Sequence, residues 1–402
     1  MAEALSEIHL ARIGAPLGHQ VIVNGYYGFD NLGDELLLTT LIQQLGMLQA
    51  ERHHTGMPDY QLTLTILSAD PEKTLAHYQG LFPPNTSIAL RSISRTDVGA
   101  IVTALRTASL WVSGGGGLFQ DVTGPASPLY YGGLMQLARW LGVLTVVWGQ
   151  GLGPLNSAFS RLWTGHVWRQ CAGVAVRDTR SAELAKSIGV PEVITTADPV
   201  WMLDLASLYP PSQPERLDFN GSTYRLGVSL REWPALNDEG ITALAKRMAQ
   251  QLASLPHPAV VYLLPFQDNQ DTQPLQQFEH ALLQQPEWRN AGHRVCWVPS
   301  HEVLSAIAQC THVVAMRYHA VILGLLAGAT VTALPYDPKV ATLQAQFGLS
   351  GCAVDQLPTQ AHQLSMVALG QRPDANTQLG LTQAAAHNMD VIRAVLYPEA
   401  SH

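Results

Sequence analysis

Strand-like and helix-like segments alternate along nearly the whole chain, and the alternation breaks only once, at residues 204–223. Parallel strands cannot be joined by a tight turn, so such alternation is the signature of parallel sheets with crossover helices on their faces. In the first half the strand candidates are 20–24, 61–67, 109–113, 144–148, 173–176 and 193–196. Helix candidates are 34–48, 96–107, 128–141, 157–170 and 180–188. The second run has strands at 225–230, 259–264, 294–298, 312–315 and 330–334. Its helices are 238–253, 274–283, 302–309, 320–326 and 339–347. The interruption is rich in proline and polar residues, as a linker is. The pattern therefore predicts an α/β protein of two doubly wound Rossmann-like domains, 18–203 and 222–355, joined by a linker at 204–221. A helical segment, 356–402, closes the chain, with its helix at 376–395. Two such domains make the cleft between them the expected ligand site.

Composition narrows the function classes. A chain of 402 residues is long for one core. With 47% hydrophobic and 13% charged residues it is globular rather than disordered or fibrous. The 31 acidic residues outnumber 23 Lys and Arg, for a net charge of −8, and no basic run is present. Nucleic acid is thus not an expected partner. An anionic substrate would need a few local cations against that field. Cys171, Cys296, Cys310 and Cys352 are widely spaced and read as core residues of a reducing compartment. The histidines show no metal-ligand spacing, so no metal is expected. The first ten residues carry two Glu and no basic-then-apolar pattern, so no signal peptide is expected. The longest apolar stretch, 320–334, is too short to span a bilayer, which predicts a soluble protein.

Residues 109–121 read Ser-Leu-Trp-Val-Ser-Gly-Gly-Gly-Gly-Leu-Phe-Gln-Asp. Gly114, Gly115, Gly116 and Gly117 remove every side chain where a buried strand ends. A tight turn or close helix packing accounts for one glycine, but four in a row carry a larger entropic cost. Backbone N–H groups there can close on an anion, and ligands of open α/β sheets sit at carboxyl ends of strands. The first strand runs into Asn24-Gly25-Tyr26-Tyr27-Gly28-Phe29-Asp30-Asn31-Leu32-Gly33-Asp34-Glu35. Asp34 reads as the N-cap of the next helix. Tyr26, Tyr27 and Phe29 on one loop suggest stacking on a sugar or a lid. Neither 114–119 nor Gly149-Gln150-Gly151-Leu152-Gly153-Pro154 matches the dinucleotide fingerprint, and no phosphate-loop lysine follows a glycine.

Cations collect where strands end. Arg177 follows one strand, Arg231 the first strand of the second domain, and Arg317 and His319 another; Lys339 stands in a further strand-to-helix loop. Each alone suits a surface ion pair, with Asp178 or Glu232 as obvious partners, or a structural histidine. Together, at one edge of doubly wound sheets, they suit anion binding and proton transfer.

These segments, with Arg-Asp-Thr-Arg-Ser at 177–181, Asp198-Pro199, Arg317-Tyr318-His319-Ala320 and Tyr336-Asp337-Pro338-Lys339-Val340, resemble the polysaccharide pyruvyl transferase family, in particular its CsaB-type branch. The matches run in order from about residue 20 to 345. The resemblance implies a GT-B-like pair of domains, with the last helix packing back on the first. It implies transfer of the enolpyruvyl carbons of phosphoenolpyruvate onto two hydroxyls of one sugar, giving a cyclic ketal and phosphate. No cofactor is required beyond that co-substrate. His319, Arg177, Arg231 and Lys339 would be catalytic, His319 as acid/base and the others as anion clamps. Substrate would be bound by Gly114, Gly115, Gly116, Gly117, Tyr26, Tyr27, Asn31, Asp34, Asp121 and Arg317. The acceptor would be a sugar or lipid-linked oligosaccharide, met in the cytoplasm with transient contact at the membrane surface. Two rivals share the pattern: a GT-B glycosyltransferase using a nucleotide sugar, and a non-catalytic glycan-binding protein.

Overall fold

A computed structural model describes residues 19–54, 62–81, 88–122, 124–208, 224–289, 292–366 and 374–397. The chain divides into two compact units, Met1–Leu203 with Leu381–His402, and Asp204–Gly380.

The first unit is built on strands β1 (Gln20–Tyr27), β2 (Leu62–Ser68), β3 (Ile88–Ser94), β4 (Leu110–Ser113), β5 (Gly116–Phe119), β6 (Leu144–Leu152), β7 (Gly173–Val176) and β8 (Ile194–Thr195). Their order is β3-β2-β1-β4-β6-β7-β8, with β5 beside β6, and every pairing is parallel. Burial follows position in the sheet. Val21, Ile22 and Val23 of β1 and all of β4 are buried, because helices cover both faces of the centre. Both residues of the edge strand β8 are exposed.

Several bounds differ from the sequence expectation. β1 continues to Tyr27 through an irregularity after Asn24, and β6 runs on to Leu152. The helix Pro71–Leu81 and strand β3 have no counterpart in the expected elements. β3 is an edge strand reading Ile-Ala-Leu-Arg-Ser-Ile-Ser, mostly half-buried, so it lacks the apolar run that marks a central strand.

The second unit contains β9 (Tyr224–Ser229), β10 (Ala259–Leu263), β11 (Arg294–Trp297), β12 (His312–Ala315), β13 (Thr330–Ala333) and β14 (Ser350–Gly351). They lie parallel in the order β11-β10-β9-β12-β13-β14. Leu226, Val228, Leu263, Leu244, Met248 and Phe278 belong to its core, where the helix Asp238–Leu252 packs on the sheet.

The closing segment 356–402 does not act as one piece. Its first part packs on the second unit: Gln251 Nε2 donates to the Leu364 carbonyl at 2.6 Å, and Met366 N–H donates to Gln251 Oε1 at 2.6 Å. From Leu381 onward the chain belongs to the first unit. The single helix expected at 376–395 is two, Ala375–Ala386 and Asp390–Leu396, separated by a 3₁₀ turn at His387–Met389. Buried Asn388 causes the break. It accepts from Thr196 Oγ1 at 2.7 Å and donates to the Ala197 carbonyl at 2.9 Å, so the turn is spent on the loop after β8. Of the expected linker, Leu205–Leu208 is a short helix and 209–223 lie outside the described residues.

In each sheet the strand order reverses beside the first strand. The crevices for ligand are therefore the carboxyl ends of β1 and β4, and of β9 and β12. No helix among the described residues is long and apolar enough to cross a membrane.

Candidate active site

At the β1/β4 crevice the glycine run is mainly a packing device. A Cβ on Gly114 would lie 2.2 Å from the Tyr27 hydroxyl, and one on Gly115 would lie 2.7 Å from Leu37 Cδ2. Gly116 has φ +99° and approaches the Asp34 carboxylate. Only Gly117 of the four faces open space. Three of these glycines thus let the strand end close on the loop and the helix Leu32–His54, where ligand approach was expected of all four. Buried Gln150 locks that closure, its Nε2 donating to Ser113 Oγ at 2.6 Å and the Gly114 carbonyl at 2.7 Å.

The aromatic loop also departs from expectation. Tyr27 is fully buried, because the irregularity in β1 turns its ring into the core. Burial, then the charges of Asp34 and Glu35, push its hydroxyl well above the usual tyrosine range. Tyr26 is 36% exposed and stacks on Phe29, with ring centroids 4.1 Å apart. The helix starts at Leu32, two residues before Asp34. Asn31 takes the N-cap role, its carbonyl accepting from Asp34 and Glu35 N–H at 3.0 and 3.1 Å and its Oδ1 from Gly33 at 3.2 Å. Asp34 sits in the first turn and accepts from Asn31 Nδ2 at 2.6 Å. Glu35 folds the loop back by accepting from Gly28 N–H at 2.8 Å and Tyr78 hydroxyl at 2.7 Å. Burial raises its carboxyl, and these two donors oppose the rise.

Asp121 is buried with both oxygens engaged, accepting from Asn156 and Ser157 N–H at 2.7 and 2.8 Å. Burial would raise this carboxyl, but those N–H groups hold it below the usual range. Its place is that of a loop brace.

Arg177 stands at the end of β7 and is buried. It pairs with Asp198, which is also buried, at 2.8 Å, while the expected partner Asp178 lies at 3.8 Å. A Cβ on Gly151 would come within 2.8 Å of its guanidinium, so that glycine makes room for it. The anion clamp expected from the sequence is a paired one.

The β9/β12 crevice of the second unit has another character. Arg231, just past β9, donates to Tyr336 hydroxyl at 3.0 Å and Gln270 Oε1 at 2.7 Å, both neutral. Its guanidinium lies 5.1 Å from the Tyr336 ring centroid and 5.7 Å from that of Trp233. Among the described residues it makes no ion pair, Glu232 included, and its Nε is buried with no hydrogen-bond partner. Beside it opens a cavity of about 550 Å³ lined by Arg231, Trp233, Gln270 and Gln277 among others. Arg317 contacts the same Gln270 at 3.4 Å but is committed to buried Asp271, with Nε 3.1 Å from both carboxylate oxygens and Nη2 in direct contact. Burial raises the Asp271 carboxyl, against which Arg317 and the N–H groups of Phe266 and Gln267 act.

His319 is the second residue of the helix Tyr318–Leu326, and its ring meets Tyr318 edge-on at 5.3 Å. Lys339 is exposed in the first turn of the helix Pro338–Phe347, where its N–H donates to the Asp337 cap at 2.8 Å. Arg231, Arg317 and His319 thus come together at one switch point, with Lys339 after the adjacent β13.

Sequence reasoning assigned no role to Asp198, Gln270, Asp271 or Tyr336. Asp198 and Tyr336 stand inside quoted motifs. Gln270 and Asp271 gave no signal, because their helix begins at Asp268, six residues before the expected start. Among the described residues no three His, Cys, Asp or Glu side chains come together as a metal-binding group.

Solved structures of similar fold span nearly the whole chain. A Listeria monocytogenes protein assigned as a UDP-N-acetylglucosamine 2-epimerase aligns with a TM-score of 0.61 at 10% identity, over 94% of this chain and 96% of that one. UDP-GlcNAc 2-epimerase from Methanocaldococcus jannaschii aligns at 0.59 and 11% identity, over 94% and 99%. A glycosyltransferase from Rickettsia africae aligns at 0.52 and 10%, over 95% and 97%. At such identities these likenesses establish the fold alone, the GT-B class of two Rossmann-like domains. None of the curated proteins matches the sequence significantly. The model of the family described as polysaccharide pyruvyl transferase matches residues 31–338, from the aromatic loop to the loop that precedes Lys339, and the chain therefore belongs to the polysaccharide pyruvyl transferase family.

Proposed function

We propose that the protein is a ketal pyruvyltransferase that uses phosphoenolpyruvate and two hydroxyls of one sugar in a cell-surface polysaccharide or its lipid-linked precursor. The observation that carries this reading is Arg231, a guanidinium held by neutral groups at a switch point and left without a counter-charge among the described residues. A small dianionic donor supplies that charge. Its carboxylate and phosphate are matched by planar guanidinium and ammonium donors, here Arg231 and Lys339.

The reaction needs one proton delivered and two removed. Protonation of the donor's methylene carbon leaves the adjacent carbon electron-poor. One sugar hydroxyl adds there and loses its proton; the second replaces phosphate and loses its own. One of those protons balances the methyl group, and the other leaves with phosphate. His319 is the side chain suited to pass protons at neutral pH. Arg231 and Lys339 stabilise phosphate as its charge grows.

The test is to incubate the protein with phosphoenolpyruvate and β-N-acetylmannosaminyl or galactosyl acceptors. Phosphate release with a matching pyruvyl mass gain on the sugar is expected. Transfer from a UDP-sugar with no reaction of phosphoenolpyruvate would replace this reading with glycosyl transfer on the same fold.

A further inference from the structure

A second uncompensated guanidinium stands in the first unit, on a residue the sequence did not single out but against the aromatic loop that it did. Arg95 follows the edge strand β3 at the carboxyl side of the sheet, where its N–H donates to the Ser68 carbonyl at 2.9 Å. It is half-buried inside an aromatic stack. The guanidinium lies 4.5 Å from the Tyr130 ring centroid, 4.9 Å from Phe29 and 5.5 Å from Tyr131. Tyr26 lies over the outer side of the stack, parallel to Phe29. Tyr130 hydroxyl donates to the Arg95 carbonyl at 2.7 Å, fixing the backbone beneath the side chain.

Among the described residues only the neutral hydroxyls of Tyr131 and Tyr130 meet this charge. Arg95 Nη2 donates to Tyr131 hydroxyl at 3.3 Å, while Nη1 is buried with no hydrogen-bond partner. Among the described residues no carboxylate pairs with it. Burial keeps Tyr131 protonated, its hydroxyl pushed up to about 12, so the tyrosine brings no negative charge. The contrast with Arg177 and Arg317 is direct, since each of those is matched by a buried aspartate. Aromatic faces offset part of the desolvation of a cation, but they accept no N–H hydrogen bond as well as an anion does.

We propose that Arg95 binds an anionic group of the acceptor, while the exposed Tyr26, stacked on half-buried Phe29 beside it, covers the apolar face of the neighbouring sugar ring. The molecule that carries the anion rests on the pyruvyl-transfer reading; the anion site itself does not. The shared chemistry is an oxyanion able to take two parallel N–H donors. Two sources fit, the diphosphate of a lipid-linked sugar and the carboxylate of an acidic sugar.

The site is tested by calorimetric titration without donor or turnover. The full chain carries Arg231→Gln and Lys339→Gln, which removes the two cations assigned to the donor. Inorganic pyrophosphate, methyl glucuronide and methyl glucoside are titrated with and without Arg95→Gln. Arg95→Gln is expected to weaken pyrophosphate, the glucuronide, or both by about tenfold or more, and to leave the glucoside unaffected. Loss confined to pyrophosphate assigns a diphosphate, and loss confined to the glucuronide assigns a sugar carboxylate. Equal affinity for both anions, at unchanged Tm, overturns the proposal. A second measurement needs no variant. Phenylglyoxal labelling of Arg95 in the wild-type chain, mapped by mass spectrometry, should be suppressed by the bound anion and not by the glucoside. Labelling indifferent to both anions overturns the site. Failure of pyruvyl transfer would instead appear as absent ketal formation with this anion binding intact.

Discussion

The two switch points share a topology and differ in what fills them. At β1/β4 the strand ends close on glycines, a buried tyrosine and the acids Asp34 and Glu35, and Arg177, at the end of β7 in the same sheet, is neutralised by Asp198. At β9/β12 one arginine of two is neutralised, Arg317 by Asp271, and Arg231 keeps its charge. Parallel-sheet topology sets where a ligand sits; the pairing of charges at the strand ends sets which ligand it is. A polar, aromatic rim suits a sugar, and an unneutralised cation suits a dianion.

The largest expected effect falls on His319. In His319→Ala, kcat should drop by roughly two to four orders of magnitude, with donor affinity kept within a few-fold. Steady-state kinetics beside direct donor titration read this, and loss of affinity with normal kcat would make His319 another anion ligand. Next come the paired arginines. Arg177→Ala and Arg317→Ala each strand a buried aspartate and should cost about 3–5 kcal/mol of stability. Arg231→Ala strands no carboxylate and should leave Tm nearly unchanged. Equal thermal losses in all three would erase the distinction between the crevices.

Acid should weaken the second unit first. His312 is buried, its Nε2 bonded to Thr332 Oγ1 at 2.9 Å, and Nδ1 faces no acceptor. Burial lowers its folded value to about 4 from 6.5. The unfolded chain then binds the proton more readily, so stability is whole above about pH 6.5 and is lost as pH falls toward 4, by ~3 kcal/mol at most. Glu35 in the first unit acts with the opposite sign. Its raised carboxyl makes ionisation unfavourable in the fold, so its contribution declines as pH rises above the ordinary carboxylate range. Hydrogen exchange followed separately in the two units should show protection lost first in 224–366 on acidification. Uniform loss would contradict it. The smallest effect is expected at the sugar rim. Tyr26→Ala should raise acceptor KM by a few-fold, in line with roughly 1 kcal/mol for an exposed ring contact, and leave donor affinity alone. Equal change in both would assign the ring to packing.

Much of this was legible in the sequence, for identifiable reasons. Central strands announce themselves because two covered faces demand continuous apolar runs, as in Val21-Ile22-Val23 and Leu110-Trp111-Val112. β3 was not legible, since an edge strand needs no such run. Arg231 and His319 were legible as strand-end residues, because residue type and local position suffice for that. The partners of cations were not. Asp198 lies 21 residues from Arg177 and Asp271 lies 46 from Arg317, and pairing at that separation is a product of tertiary packing. The same limit misplaced Tyr27, whose direction depends on one irregularity in β1 that no alternation pattern encodes. Arg95 escaped notice for both reasons, standing just past the edge strand and defined wholly by distant aromatic rings.

The most direct test is calorimetric titration of phosphoenolpyruvate into the wild-type chain and into Arg231→Gln. Hydrogen bonds to a charged group contribute about 1.5–3 kcal/mol, so the variant should bind the donor roughly 10- to 100-fold more weakly at unchanged Tm. Equal affinity in the two proteins would contradict the assignment of Arg231, and with it the second unit, to the donor.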